Sequence, residues 1–228
     1  MTTIDSFSKK FSEKRFAPDA KPGHDMVQSF IDKGVTKDHL VQEILLQILA
    51  GSDTTAGAVR MILLEMISSP AALRRLLEEI EQGVAQGKVS SPITYAEAQS
   101  LPYLRAIVHE GLRVFPPALG TSDKAVPKGG DTLVGFRLPE GTHVATNTFG
   151  ALRRKDLWGE DSHVFLPERF LRVDPEQREV MESNVGLAFG YGRYLCLGKS
   201  LAMMEIHKFL VEVSDTPDTP VPLAERRD

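Results

Sequence analysis

The longest apolar stretch of the chain lies between residues 36 and 68 and is interrupted once by small and polar residues. Apolar side chains over residues 40–49 fall on nearly every face of a helix, and the pattern resumes over residues 59–67. A helix that is apolar on every face has to be buried. The pattern therefore predicts one long buried helix, or two helices if the interruption ends the first.

Shorter elements are predicted on both sides of this stretch. Residues 1–23 are polar and contain prolines, which predicts an extended lead-in. Amphipathic periodicity predicts further helices over residues 24–31, 71–82, 103–114 and 198–213. Thr94 and Glu97 have the spacing of a capping box, and alternating residues over 132–146 predict a small β region. The expected fold class is mainly α with a small β region, in one compact unit.

Composition excludes several classes of protein. The chain has 228 residues, of which 42% are hydrophobic and 25% charged, as in ordinary globular domains. Its 27 Lys and Arg against 31 Asp and Glu give a net charge of −4, which argues against nucleic acid as a partner. The single cysteine, Cys196, excludes an internal disulfide and a multi-cysteine metal site. No signal peptide or membrane-spanning segment is expected, and residues 214–228 form a polar, proline-rich tail.

The interruption in the long helix, Ala50-Gly51-Ser52-Asp53-Thr54-Thr55, has two interpretations. Gly51 is a suitable helix end, and the polar residues after it are suitable N-caps for a second helix. Alternatively the helix continues with a locally opened hydrogen-bond ladder, as at many functional sites. A buried Asp53 beside the Thr54 hydroxyl would then relay protons to a molecule bound in the groove.

Two further clusters contain opposite charges. Glu110 and Arg113 are three residues apart on one predicted helical face, a spacing that alone indicates only a weak surface ion pair. Apolar neighbours surround this pair, so part of it is expected to be buried and to need additional partners. Arg169, in the segment over 165–170, has a fork of donors that would complete such a network.

The fourth cluster runs from Phe189 to Gly198 and contains Cys196. A free cysteine among apolar residues is most often a core residue. Here Gly190 and Gly192 allow a tight loop, and the cysteine precedes a predicted helix, whose N-terminus stabilises a thiolate. These features favour a metal ligand over a core residue. A dinucleotide-binding loop is excluded because Leu195 occupies the third glycine position.

In this order and spacing, the four clusters resemble the C-terminal half of a cytochrome P450, a haem-thiolate monooxygenase. The resemblance covers residues 24–213, as a partial P450 domain with a long distal helix, an ExxR helix, a cysteine-ligand loop and a final helix. Around Cys196 the chain is most similar to fungal pisatin-demethylase-like enzymes.

The resemblance implies a role for each cluster. Cys196 would be the axial thiolate ligand of haem b, iron protoporphyrin IX, in a loop shaped by Phe189, Gly190, Gly192 and Gly198. Asp53 and Thr54 would deliver protons during oxygen activation, and Ala50 and Gly51 would leave room for oxygen. Glu110, Arg113 and Arg169 would form a buried structural triad.

The chain departs from the family pattern at two positions beside the cysteine loop. Many members carry an arginine two residues before the cysteine, where this chain has Tyr194, with Arg193 one place earlier. Lys124 lies near the position at which family members often carry another arginine, which contacts a haem propionate. A lysine donates from one nitrogen and lacks the forked donors of an arginine. By the resemblance, Arg193 and Lys124 would be the cations nearest the haem propionates.

The implied activity is insertion of one oxygen atom from O2 into a small apolar substrate in secondary metabolism, with electrons from a separate NADPH-dependent reductase. An intracellular location is expected; family members are usually endoplasmic-reticulum membrane proteins, but no anchor is seen here. The resemblance implies that the N-terminal half of the family fold is missing from this sequence, which should leave the long helix exposed. Two alternatives stay open: an inactive remnant or scaffold without haem, and a cysteine hydrolase using His207 or His163 as its base.

Overall fold

The computed structural model describes residues 3–118 and 123–215. They divide into two compact units, residues 1–54 and 55–228, rather than the single unit expected. The helices are α1 (Thr3–Arg15), α2 (Met26–Asp32), α3 (Lys37–Ser68), α4 (Pro70–Ala85), α5 (Tyr95–Gln99), α6 (Pro102–Val114), α7 (Thr148–Ala151), α8 (Lys155–Trp158), α9 (Pro175–Gly186) and α10 (Lys199–Asp215). The strands are β1 (Lys124–Ala125), β2 (Asp131–Leu133), β3 (Phe136–Leu138) and β4 (His143–Val144).

The first unit contains α1, α2 and the N-terminal part of α3. The predicted extended lead-in is wrong, because residues 3–15 form a helix in which the Phe7 and Phe11 rings stack 5.9 Å apart. The Arg15 guanidinium at its end lies 2.6 Å from Asp25, whose other oxygen accepts the amide of Gln28 and caps α2. The stacked rings of Phe7 and Phe11, which are four residues apart, and the ion pair between Arg15 and Asp25 therefore stabilise this segment.

Helix α3 is continuous from Lys37 to Ser68, so the interpretation of the small and polar segment as a helix break is wrong. The expectation that the helix is buried on every face is also wrong. Its buried residues recur at a spacing of four within each unit, as Leu40 and Ile44 in the first and Ala58, Ile62 and Met66 in the second. Apolar side chains on other faces are exposed, as the resemblance to half of a larger fold implied: Leu46, Leu49, Leu64 and Ile67.

Helix α6 is the central helix of the second unit, and nearly all of its residues are buried. Gly111 packs closely on α3, because a Cβ atom at this position would lie only 2.3 Å from Cγ1 of Ile62. The Glu79 carboxylate of α4 accepts the backbone amides of Tyr103 and Leu104 at 2.8 and 2.9 Å, which satisfies the start of α6. These contacts fix α6 against α3 and α4.

The predicted helices over 71–82, 103–114 and 198–213 are confirmed as α4, α6 and α10, and the capping box at Thr94 starts α5. Helix α9 was not predicted, because its few buried residues, Met181 and Val185, give only a weak amphipathic pattern. Its N-cap, Asp174, followed by a proline, was the available signal. The tail from residue 216 lies outside the described residues.

The β region consists of two separate antiparallel pairs, β1 with β4 and β2 with β3. Both pairs are short, which confirms the expected small β content of a mainly helical fold. Over the described part of the chain, no single helix has both the length and the apolar character to cross a bilayer, while α3 and α4 pass only as a pair bent by 106°.

Candidate functional site

The shape of the loop before α10 is set by two glycines and by backbone hydrogen bonds. Gly190 and Gly192 have φ angles of +74° and +60°, a region that L-residues with side chains rarely adopt. A Cβ atom at Gly190 would lie 2.8 Å from the carbonyl oxygen of Tyr194. The Cys196 amide donates to the Phe189 carbonyl at 2.8 Å and closes the loop. The glycines are thus required by the path of the backbone.

Cys196 is a free thiol and is exposed, so the interpretation of this cysteine as a core residue is wrong. A Cβ atom at Gly198 would make ordinary contact with Sγ of Cys196, at 3.8 Å. The neighbouring apolar side chains are exposed as well: Tyr191, Tyr194, Leu195 and Leu197. The loop therefore presents one sulfur atom within an apolar surface.

Two cations lie against the ring of Tyr194. Nζ of Lys124 is 3.9 Å from the ring centroid, and Cζ of Arg193 is 4.8 Å from it. The Arg193 guanidinium also donates to the Tyr194 hydroxyl at 2.8 Å. The Tyr194 ring thus contacts two positively charged side chains at the cysteine loop.

The Glu110 carboxylate is fully buried and is shared by two arginines. Its Oε2 accepts from Nε of Arg113 at 2.7 Å, and its Oε1 accepts from Nη2 of Arg113 at 2.8 Å and Nε of Arg169 at 2.9 Å. The backbone amide of Leu166 is a further donor to Oε1 at 2.8 Å. Oε1 therefore accepts three hydrogen bonds and Oε2 one, which gives both oxygens of the buried charge a partner.

The two guanidinium groups use their remaining donors on backbone carbonyls of the following loops. Arg113 donates to Leu152 at 2.9 Å, Ser162 at 2.5 Å and Val164 at 3.0 Å. Arg169 donates to the carbonyls of Trp158, Asp161 and Val164 at 2.6 to 3.2 Å. The network thus connects α6 to the irregular chain between α7 and residue 170.

Sequence reasoning missed a second set of contacts, on the other side of the segment that carries Arg169. The buried Tyr103 hydroxyl donates to Glu168 at 2.8 Å, and Nη1 of Arg75 lies 3.2 Å from the same oxygen. The Arg75 guanidinium also lies over the Tyr103 ring, at 4.4 Å. Burial, followed by the hydrogen bond to Glu168, raises the pKa of Tyr103. The available signal was the position of Tyr103 seven residues before Glu110, on the same helical face.

Ala50, Gly51, Asp53 and Thr54 lie in the first unit, on the uninterrupted helix α3. The Thr54 hydroxyl donates to the Ala50 carbonyl at 2.7 Å within the helix. Asp53 is exposed, so the burial that the proton-relay interpretation assumed is wrong for the described chain. Its carboxylate and the Thr54 hydroxyl nevertheless belong to the same turn of α3.

The two histidines predicted as candidate bases of a cysteine hydrolase, His207 and His163, differ in burial. His207 is buried, with Nδ1 2.7 Å from the Met203 carbonyl and its ring edge against Tyr95. Burial lowers the pKa of His207 to about 4. His163 is exposed, and in the described ranges no hydrogen bond joins either histidine to Cys196. The described residues also contain no group of three or more His, Cys, Asp or Glu side chains suited to a metal ion.

The sequence of the chain is similar to that of proteins of one known family. The family model described as Cytochrome P450 matches residues 1–213. The cytochrome P450 monooxygenase aba1 of Botryotinia fuckeliana is 45% identical over 200 residues, covering 88% of this chain and 39% of that protein. The cytochrome P450 monooxygenase abl1 of Leptosphaeria maculans is 40% identical over 205 residues, covering 90% of this chain and 36% of that protein.

Pisatin demethylase of Fusarium vanettenii is 37% identical over 179 residues, covering 78% of this chain and 33% of that enzyme. The matched part of the chain therefore spans between 33% and 39% of the length of these relatives. Because the family model covers nearly the whole chain and several relatives exceed 30% identity, the chain belongs to the cytochrome P450 family.

Proposed function

We propose that the chain forms the thiolate-bearing part of a haem monooxygenase that inserts one oxygen atom from O2 into a small apolar substrate of secondary metabolism. A separate NADPH-dependent reductase would supply the electrons. One observation carries the proposal: the single cysteine of the chain is a free, exposed thiol on a glycine-shaped loop before α10. The names of the relatives, which are P450 monooxygenases of fungi, support the same reaction class.

The residues present fit haem b with an axial cysteine thiolate. A cysteine thiolate is one of the established ligands of haem iron. The exposed apolar side chains of Tyr191, Leu195 and Leu197 offer a surface on which a flat macrocycle can pack. Lys124 and Arg193, which both lie against the Tyr194 ring, are cations that could pair with the carboxylates of the haem. Phe189 and Gly198 belong to the same loop, Phe189 through its hydrogen bond to the Cys196 amide.

When bound, the haem would activate oxygen, and a thiolate ligand favours cleavage of the O–O bond. The protein's part is to hold the ligand and to move protons. Thr54, whose proton is held at the Ala50 carbonyl, and the exposed Asp53 would deliver protons from solvent, beside the small residues Ala50 and Gly51. Glu110, Arg113 and Arg169 would act at a distance, by fixing the loops of the second unit.

The ligand assignment is tested by adding haem to the chain, reducing it and exposing it to CO. A thiolate-ligated haem shifts the Soret band far to the red, and Cys196→Ala should abolish this shift. Val180→Ala, which changes an exposed apolar side chain of α9 outside that loop, is the matched control and should retain it. A wild-type chain that stays colourless would favour an inactive remnant or scaffold, and an unshifted band would exclude the thiolate.

The proton-delivery assignment needs an active preparation with its reductase. Thr54→Ala should retain the red-shifted Soret band but raise the ratio of hydrogen peroxide released to NADPH consumed. Thr55→Ala, at the next position of the same helix, is the control. An unchanged peroxide ratio in Thr54→Ala would show that the Thr54 hydroxyl has no part in proton delivery.

A further inference from the structure

Tyr194 occupies the position, two residues before the cysteine, at which many members of the family carry an arginine. The residue ends the short 3₁₀ helix Gly192–Tyr194 and is 54% exposed. A neutral phenol ring therefore stands where the family pattern has a fixed positive charge, and a ligand can reach the ring and the side chains around it.

The Tyr194 ring brings together cations from two elements of the second unit. Lys124 belongs to β1, where its backbone pairs with Val144 of β4, whereas Arg193 directly precedes Tyr194 in the cysteine loop. Nζ of Lys124 lies 3.9 Å from the ring centroid, and Cζ of Arg193 lies 4.8 Å from it. Both distances are within the range of a cation–π contact. The ring thus joins the β1–β4 pair to the cysteine loop.

These contacts order both long side chains before any ligand binds. Arg193 is restricted twice, by the ring and by its hydrogen bond of 2.8 Å to the Tyr194 hydroxyl. Over residues 3–118 and 123–215, Arg193 takes part in none of the ion pairs, so no described carboxylate neutralises its charge. Because ordering a flexible cation costs conformational entropy, cations that are already ordered bind an anion more tightly.

We infer that Tyr194 is a positioning residue whose ring holds Lys124 and Arg193 ready to pair with the two carboxylates of a porphyrin. This role rests on the haem site proposed above. An arginine supplies a single guanidinium, whereas the ring brings an ammonium and a guanidinium together from separate parts of the chain. Tyr194 therefore acts on the ligand through its two neighbours and needs no charge of its own.

The test compares binding of metal-free protoporphyrin IX and of its dimethyl ester to the full chain, measured by porphyrin fluorescence. The two probes differ only in their carboxylates, and without iron neither needs Cys196 as a ligand. The wild-type chain should bind the diacid on the order of tenfold more tightly than the ester, as expected for two partly exposed ion pairs. This preference should shrink at high salt, because salt screens exposed charges.

Tyr194→Leu should abolish the preference for the diacid, because an aliphatic side chain has no ring face for a cation. Tyr194→Phe keeps the ring and should retain most of the preference. Lys124→Gln should reduce the preference in the wild-type chain but have little further effect in Tyr194→Leu, since the tyrosine acts through this lysine. The matched control is Phe149→Leu, which removes an exposed ring of α7 that lies 3.5 Å from Cζ of Arg153, and it should leave the preference unchanged.

Three results would overturn this role: a wild-type chain that binds both probes equally, a preference that survives in Tyr194→Leu, or equal losses in Tyr194→Leu and Phe149→Leu. Weaker binding of both probes by Tyr194→Leu, with the preference kept, would assign the ring to apolar packing instead. Circular dichroism identical to that of the parent chain would show that each variant is folded. Cys196→Ala should keep the diacid preference while losing the red-shifted Soret band, so the thiolate assignment and the role of Tyr194 fail separately.

Discussion

Glu110→Gln is the most informative perturbation of the buried network, because it keeps the shape of the side chain and removes its charge. The wild-type carboxylate accepts four hydrogen bonds, three of them from Arg113 and Arg169. A glutamine amide nitrogen in place of Oε2 would face Nε of Arg113, so two donors would meet and one hydrogen bond would be lost.

The expected cost follows from the charges that remain. Arg113 is fully buried and Arg169 nearly so, and both would lose their shared counter-charge. The remaining carboxylate near Arg169 is that of Asp161, 3.2 Å away and about half exposed. Breaking a buried ion pair by removing one partner costs roughly 3–5 kcal/mol, a large part of the 5–15 kcal/mol typical of a folded domain.

Urea unfolding followed by Trp158 fluorescence measures this cost, because Trp158 contacts both arginines. The Arg113 guanidinium lies 5.2 Å from the Trp158 ring, and Arg169 donates to the backbone carbonyl of Trp158. The matched control is Glu182→Gln, which breaks the partly exposed pair with Arg105 and should cost less than about 1 kcal/mol. Equal effects of the two substitutions, or a loss below about 1 kcal/mol for Glu110→Gln, would refute the assignment of Glu110 as the anchor of the network.

Three further predictions concern stability. Burial lowers the pKa of His207 from 6.5 to about 4, so the unfolded chain binds the proton first as the pH falls. The free energy of unfolding should therefore fall by on the order of 3 kcal/mol between about pH 6.5 and pH 4. His207→Phe should reduce this pH dependence in urea titrations, and an unchanged pH dependence would contradict the assignment to His207. Gly111→Ala should cost about 1–3 kcal/mol of unfolding free energy because its methyl group meets Ile62, whereas Gly57→Ala, with open space around it, should be neutral or stabilising; similar losses for both would argue against the close helix contact. Val134, in the turn between β2 and β3, has a φ angle of +50°, which strains the backbone of a β-branched residue by about 1 kcal/mol. Val134→Asn should relieve this strain and raise the melting temperature, and a lower melting temperature would mean that the valine stabilises the turn.

The predictable part of the fold was the part governed by local patterns. Helices α4, α6 and α10 have one apolar face each, and the capping box at Thr94 is a local signal. The long helix was predicted, but whether it continued through Gly51 depended on competing caps that sequence alone ranks equally. Helix α1 was missed because its first buried positions, Ser8 and Ser12, are polar and give a weak pattern.

The candidate site was less accessible to sequence reasoning. The spacing of Glu110 and Arg113 predicted their contact, since residues three apart face the same side of a helix. The contact of Arg169 with Glu110 spans 59 residues, and no local rule specifies it; the family resemblance implied it. The contact between Tyr103 and Glu168 spans 65 residues and was not foreseen, because neither residue stood out from its neighbours.

The arginine network has a consequence for how the chain tolerates mutation. Arg113 and Arg169 reach the segment over 152–164 through carbonyl groups of the main chain, which every amino acid carries. The identity of most side chains in that segment is therefore irrelevant to the anchoring, provided that the route of the backbone is preserved. Saturation mutagenesis should find a tolerant loop next to two nearly immutable arginines, with insertions and deletions far more damaging than substitutions.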